Sequence, residues 1–86
     1  MGKYSKLRMK ILMGSADNGI AFSELCQLLT RLGFIERIKG SHHLFTRENI
    51  EEIINLQPKN SKAKPYQVKQ VRILLTKYRM GEHDID

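Results

Sequence analysis

The sequence has 86 residues, 41% of them hydrophobic, a length and composition typical of one small folded domain rather than a disordered chain. Fifteen lysines and arginines against nine aspartates and glutamates give a net charge of +6, so we expect a polyanionic partner, either a nucleic acid or an acidic protein. The single cysteine, Cys26, excludes an internal disulfide, and we find neither a membrane-spanning apolar run nor a signal peptide. We therefore expect a cytoplasmic protein with no membrane partner.

The first part of the chain predicts two helices. Apolar residues recur at helical spacing over residues 3–13, and the composition of residues 14–19 predicts a loop. A stronger pattern over residues 24–32 places four leucines on one helix face, with Ser23 as the expected N-cap and Gly33 as the expected end.

The spacing of the apolar residues changes after this second helix and predicts three short strands. The expected strands are residues 34–39, 42–46 and 50–56, joined by turns at Gly40-Ser41 and at residues 47–49. Residues 57–64 then predict a loop, and a last helix is expected to begin at Pro65 and to end at Gly81.

This order of elements predicts an α+β domain. A three-stranded antiparallel sheet with helices on one face would bury the apolar stripes in two layers. Residues 1–81 would form this single domain, and the acidic residues 82–86 would form a disordered tail.

Two adjacent histidines, His42 and His43, follow the Gly40-Ser41 turn. Histidine exchanges protons near neutral pH, and because consecutive strand residues point to opposite faces, at most one of the two can face a given site. The spacing argues against a metal site, since two strand ligands would be expected two residues apart, with a Cys or carboxylate cluster completing a tetrahedron. The residues alone leave open whether the pair is catalytic or simply a polar part of a hairpin.

Residues 57–80 contain no acidic side chain. The cations of this segment are Lys59, Lys62, Lys64, Lys69, Arg72, Lys77 and Arg79. The absence of local acids favours a phosphate-binding surface along the loop and one edge of the last helix over an ordinary solvated helix face.

Other polar and aromatic residues have simpler interpretations. We expect solvated carboxylates at Glu48, Glu51 and Glu52. Cys26 is expected to be a buried structural thiol. Phe45 and Tyr66 can in principle stack on nucleobases, but we expect both to be packing residues in a small core.

Two segments carry a family resemblance. Residues 22–34, F-S-E-L-C-Q-L-L-T-R-L-G-F, and residues 37–45, R-I-K-G-S-H-H-L-F, resemble the HicA family of toxin–antitoxin systems, and the resemblance extends over residues 22–81. It implies an α-β-β-β-α fold like that of double-stranded-RNA-binding domains, with residues 3–19 as an N-terminal extension. It also implies RNA cleavage by a histidine without metal or cofactor, and inhibition by a HicB antitoxin.

The resemblance also indicates site residues. The family's catalytic histidine most often follows Gly-Ser directly, which corresponds to His42, and in some members it lies one residue later, which corresponds to His43. Many members carry a second histidine near a proline after the third strand, where this chain has Gln57-Pro58-Lys59. If that second histidine contributes in those relatives, this protein needs another proton donor or is a weaker nuclease.

The predicted function is therefore that of an mRNA interferase, a metal-independent endoribonuclease toxin with His42 and His43 as catalytic residues. RNA supplies its own nucleophile, the 2′-OH, so the protein must deprotonate it, align it and stabilise the developing charge. The residues expected to bind RNA are Lys39, Ser41, Lys59, Lys62, Lys64, Lys69 and Arg72. Two alternatives remain at this level, a non-catalytic double-stranded-RNA-binding module and an interaction domain for an acidic protein.

Overall fold

A computed structural model describes residues 2–83 and 85 and confirms the predicted α+β fold. The elements are α1 (Lys3–Met13), a short 3₁₀ helix (Asp17–Gly19), α2 (Phe22–Arg31), β1 (Ile35–Lys39), β2 (His42–Arg47), β3 (Ile50–Leu56) and α3 (Pro65–Lys77). The order is thus α-β-β-β-α preceded by the additional helix α1. Among the described residues, no helix is long and apolar enough to cross a membrane.

The sheet has the order β1-β2-β3, and both strand pairs are antiparallel. Phe45 on β2 and Ile54 and Leu56 on β3 are fully buried, so the face that carries them is the one covered by the helices. These three residues join the leucines of α2 and the apolar face of α3 in one hydrophobic core. β1 is an edge strand, and all five of its residues are exposed.

Helix α2 begins at Phe22, two residues earlier than the sequence predicts, so the prediction of Ser23 as N-cap is wrong. Ala21 occupies that position, and its methyl side chain cannot accept a hydrogen bond. The loop after β3 satisfies the start of the helix instead. The Phe22 N–H donates to the Ser61 carbonyl (3.0 Å), and the Ala63 N–H donates to the Ile20 carbonyl (2.9 Å). The beginning of α2 is thereby held against the loop of residues 57–64, which we call the basic loop.

Helix α1 is an integral part of the core. Leu7 and Ile11 are buried, and the Arg72 guanidinium on α3 donates to the Ile11 carbonyl (3.0 Å). The same guanidinium makes a two-pronged contact with the Asp17 carboxylate (2.9 and 3.1 Å), and this hydrogen bonding lowers the pKa of Asp17. Arg72 therefore ties α1, the 3₁₀ helix and α3 together.

The segment predicted to be an acidic tail, residues 82–86, is described at three positions, and residues 84 and 86 lie outside the described part of the chain. Glu82 pairs with Arg79 (3.3 Å), and Ile85 belongs to the hydrophobic core.

A two-residue loop, Gly40-Ser41, connects β1 to β2 and determines how the histidines leave the turn. Gly40 has φ +60°, whereas Ser41 is not in the left-handed region. This is the pattern of a type II′ turn, whose twist matches that of the flanking antiparallel strands. Glycine is needed at Gly40 because a Cβ is disfavoured at this positive φ.

We predict that Gly40→Ala lowers the free energy of unfolding by about 1 kcal/mol, because an L-residue is strained in this conformation. Gly19→Ala is the matched control: the Gly19 backbone is not left-handed, and no described atom lies within 4 Å of an added Cβ at either glycine. Its effect should stay within about 0.5 kcal/mol. Urea unfolding of both variants measures the difference, and equal destabilisation would contradict the turn assignment.

Candidate functional site

His42 lies on the open face of the sheet, opposite the face that the helices cover. It is exposed, and its Cα pairs in register with that of Lys39 across the Gly40-Ser41 turn. Directly paired residues of antiparallel strands project from the same face, so the Lys39 and His42 side chains are neighbours. A cation therefore lies beside an imidazole that is open to a ligand.

The imidazole of His42 is oriented by Asn55 on β3. His42 Nδ1 lies 3.2 Å from Asn55 Oδ1. An amide oxygen only accepts, so this hydrogen bond requires the proton of the neutral ring to be on Nδ1. Nε2 then carries the lone pair and can act as a base.

The turn residue Ser41 belongs to a short polar chain that reaches the basic loop. Gln57 Nε2 donates to Ser41 Oγ (2.9 Å), and Lys64 Nζ donates to Gln57 Oε1 (3.3 Å). Gln57 lies in the region where the resemblance implies a second histidine in many relatives. Here it links the histidine turn to the first cation before α3.

His43 has a different environment, on the helix-covered face with Phe45. Its Nδ1 lies 2.6 Å from Glu36 Oε2, and its ring packs edge-on against Phe22, with 4.9 Å between ring centroids. Only 21% of the His43 side chain is exposed. Through these contacts His43 connects β2 to β1 and α2.

Cys26 on α2 lies beside the His43–Glu36 pair. Burial, and then the nearby Glu36 carboxylate, raise the pKa of the Cys26 thiol to about 12, which keeps it protonated at neutral pH, as expected of a structural thiol. Ligand atoms of Cys26, Glu36 and His43 all lie within 4.8 Å of one another. These donors suit Zn²⁺, which would have to compete with the hydrogen bond between Glu36 and His43. The spacing of the two histidines gave no sign of this grouping.

The basic loop presents its lysines around a tight turn. Lys59 and Lys62 exchange two backbone hydrogen bonds (2.9 and 3.0 Å), with Asn60 and Ser61 between them at positive φ. Lys59 and Lys62 are exposed, and Lys64 is half-buried where it reaches Gln57. The loop therefore holds three cations close to the start of α3.

The cations of α3 divide into two groups. Lys69 is exposed, whereas Arg72 is engaged with Asp17 and Ile11. The absence of acidic residues from 57–80 therefore did not show that all its cations are unpaired, because the acids that pair with this helix come from other parts of the chain.

Glu52 on β3 is the second such acid. It accepts hydrogen bonds from Lys77 Nζ (2.7 Å) and the Tyr78 hydroxyl (2.5 Å), and these bonds lower its pKa to about 2. Glu48 and Glu51 are exposed, as expected for solvated carboxylates, whereas the prediction for Glu52 is wrong.

Sequence reasoning missed three residues of the site. Arg37 is exposed on the open face, where it pairs with Leu44, and strand alternation from Lys39 would have placed it there. Asn55 and Glu36 reach the histidines from β3 and β1, and only the register of the strands shows those contacts.

Comparison with known proteins gives one match. Residues 22–77 match the family model described as the HicA toxin of bacterial toxin–antitoxin systems. Searches of curated proteins and of solved structures found no match. The matched segment runs from the beginning of α2 to the end of α3 and covers more than half of the chain. The protein therefore belongs to the HicA toxin family.

Proposed function

We propose that this protein is a metal-independent endoribonuclease, an mRNA interferase of the cytoplasm, in which His42 is the catalytic base. The observation that carries the proposal is the environment of His42 on the open face. Asn55 orients its ring, Lys39 lies beside it, and the turn that precedes it connects to Lys64 through Gln57.

In the proposed reaction His42 Nε2 takes the proton of a ribose 2′-OH. The 2′-oxygen attacks the adjacent phosphorus, the P–O5′ bond breaks, and the leaving 5′-oxygen takes up a proton from water. The products are a 2′,3′-cyclic phosphate and a 5′-OH end. Lys39 and Arg37, both on the face of His42, stabilise the negative charge that develops on the phosphate oxygens.

We assign RNA binding to the histidine turn, the basic loop and the first half of α3. The phosphate contacts come from Lys39, Ser41, Lys59, Lys62, Lys64 and Lys69. Arg72, which the sequence placed in this set, has a structural role in the proposal because its guanidinium is paired with Asp17. Four lysines in this set are exposed, and phosphate contacts of this kind do not depend on the base sequence.

A toxin of this family has a partner that restrains it. We propose an acidic antitoxin of the HicB type that covers the histidine turn and the basic loop, because opposite charge favours the encounter and coverage of His42 excludes RNA.

The first prediction concerns the two histidines. Purified protein should cleave RNA in EDTA, and His42→Ala should reduce the cleavage rate by about 10²–10⁴-fold, the typical contribution of a general base. His43→Ala is the matched control one residue away. It should retain cleavage and lose about 1 kcal/mol of stability, a typical value for a point substitution, because its ring packs on Phe22. Cleavage rates and thermal melts measure both effects.

The reverse pattern, with His43→Ala inactive and His42→Ala active, would show that the base is on the helix-covered face. Cleavage that disappears in EDTA would refute the metal-independent mechanism. RNA binding without any cleavage would favour a non-catalytic double-stranded-RNA-binding module.

The second prediction concerns the basic loop. Replacing Lys59, Lys62 and Lys64 with alanine should weaken RNA binding and reduce the slope of log affinity against log salt by about 0.7 for each lost single-strand phosphate contact. The matched control replaces Lys3, Lys6 and Lys10 of α1, which removes the same charge from another element. An equal change in slope for both triple variants would contradict a local phosphate surface.

The third prediction concerns the antitoxin. An acidic protein encoded beside this one should copurify with it. It should suppress RNA cleavage fully at the molar ratio at which the two proteins form their complex. Complex formation should weaken when Lys59, Lys62 and Lys64 are replaced, since charge complementarity drives it. A stable complex that leaves RNA cleavage unaffected would contradict occlusion of the histidine turn.

A further inference from the structure

Tyr66, in the first turn of α3, is an exposed aromatic side chain on a strongly basic surface. Its exposed fraction is 64%, whereas Phe45 is fully buried. The sequence-based expectation that both aromatics pack in the core is therefore right for Phe45 and wrong for Tyr66. Exposing an aromatic ring leaves its apolar face in water, where a ligand with a flat ring can cover it.

Tyr66 lines a depression whose lining includes two prolines. The other lining residues are Gln57, Pro58, Lys59, Lys64 and Pro65. Each proline has a fixed φ, and Pro65 is the first residue of α3. Gln67, fully buried one position after Tyr66, accepts a hydrogen bond from the Lys64 N–H (3.2 Å), which holds the beginning of the helix in place. These features fix the backbone from which the Tyr66 side chain projects.

The depression adjoins the proposed catalytic turn. Gln57 is shared, because it lines the depression and its Nε2 also donates to Ser41 Oγ, next to His42. Lys64 lines the depression too, and its ammonium group contacts Gln57 Oε1. The depression that holds Tyr66, Lys59 and Lys64 is thus joined to the turn before His42 through Gln57.

We propose that this depression is a nucleoside subsite, in which the base of a nucleotide flanking the scissile phosphate stacks on Tyr66 while Lys59 and Lys64 contact its phosphate. The inference rests on the proposed function for its ligand, an RNA chain, and extends it to the class of substrate. A base can cover Tyr66 only when it is unstacked from its neighbours, so the substrate is single-stranded at this position. Every base has a π-face, so the subsite tolerates any base.

The test uses 2′-O-methylated single-stranded RNA, which binds but cannot be cleaved through its 2′-oxygen. Fluorescence anisotropy gives its affinity for the wild type and for Tyr66→Ala, Tyr66→Phe and Ile73→Ala. Tyr66→Ala should weaken binding about tenfold, within the range measured for stacking of one base on an aromatic side chain. Tyr66→Phe keeps the ring and should bind like the wild type. Ile73→Ala, the control, removes another exposed apolar side chain of α3 and should change affinity less than twofold.

A scan with single abasic nucleotides completes the test. In the wild type one position of the RNA should be the most sensitive to loss of its base, and Tyr66→Ala should remove that sensitivity, because the base and the ring form one interaction. Unchanged affinity of Tyr66→Ala, an abasic effect that persists in it, or equal dependence on Tyr66 in duplex RNA would overturn the subsite.

The subsite and the nuclease can fail separately. If His42→Ala abolishes cleavage and the Tyr66 and abasic effects are additive, the subsite is wrong and the nuclease stands. If the two effects are coupled but no variant or wild-type protein cleaves RNA, the subsite stands and the catalytic proposal is wrong.

Discussion

Burial of Phe45 determines the orientation of the two histidines that precede it on β2. The aromatic side chain is fully enclosed between the sheet and the helices, and strand alternation then places His43 on the same covered face and His42 on the open one. A shift of one residue in register would expose Phe45 and bury His42, at a cost of several kcal/mol for a large aromatic. Packing of the core, rather than any property of the histidines, places them on opposite faces of the sheet.

Ion pairs within the protein determine which lysines and arginines remain available to a ligand. Arg72 and Lys77 are held by Asp17 and Glu52, acids that stand far from them in the sequence. Lys59, Lys62 and Lys69 are exposed. The seven cations between residues 57 and 80 therefore overstate the phosphate-binding capacity of α3, and the cations left for a ligand are mainly those of the basic loop.

The fold was readable from the sequence because its determinants are local. The apolar spacing predicted all three helices and all three strands, and Gly40-Ser41 predicted the hairpin. The beginning of α2 was misplaced because its first N–H, that of Phe22, donates to Ser61 in a loop about forty residues later in the chain. For the same reason sequence patterns could not show that Asn55 orients His42, that Glu36 holds His43, or that Tyr66 is exposed. Each depends on strand register or on how α3 packs.

The central claim is that the chemistry uses the 2′-OH of RNA and a protein base, with no metal ion. The most direct measurement is mass spectrometry of the products formed from one RNA sequence in EDTA, beside the same sequence with every 2′-oxygen methylated. The proposed mechanism predicts fragments with 2′,3′-cyclic phosphate and 5′-OH ends from the first and no cleavage of the second. Fragments with 5′-phosphate ends, or cleavage of the methylated strand, would contradict it.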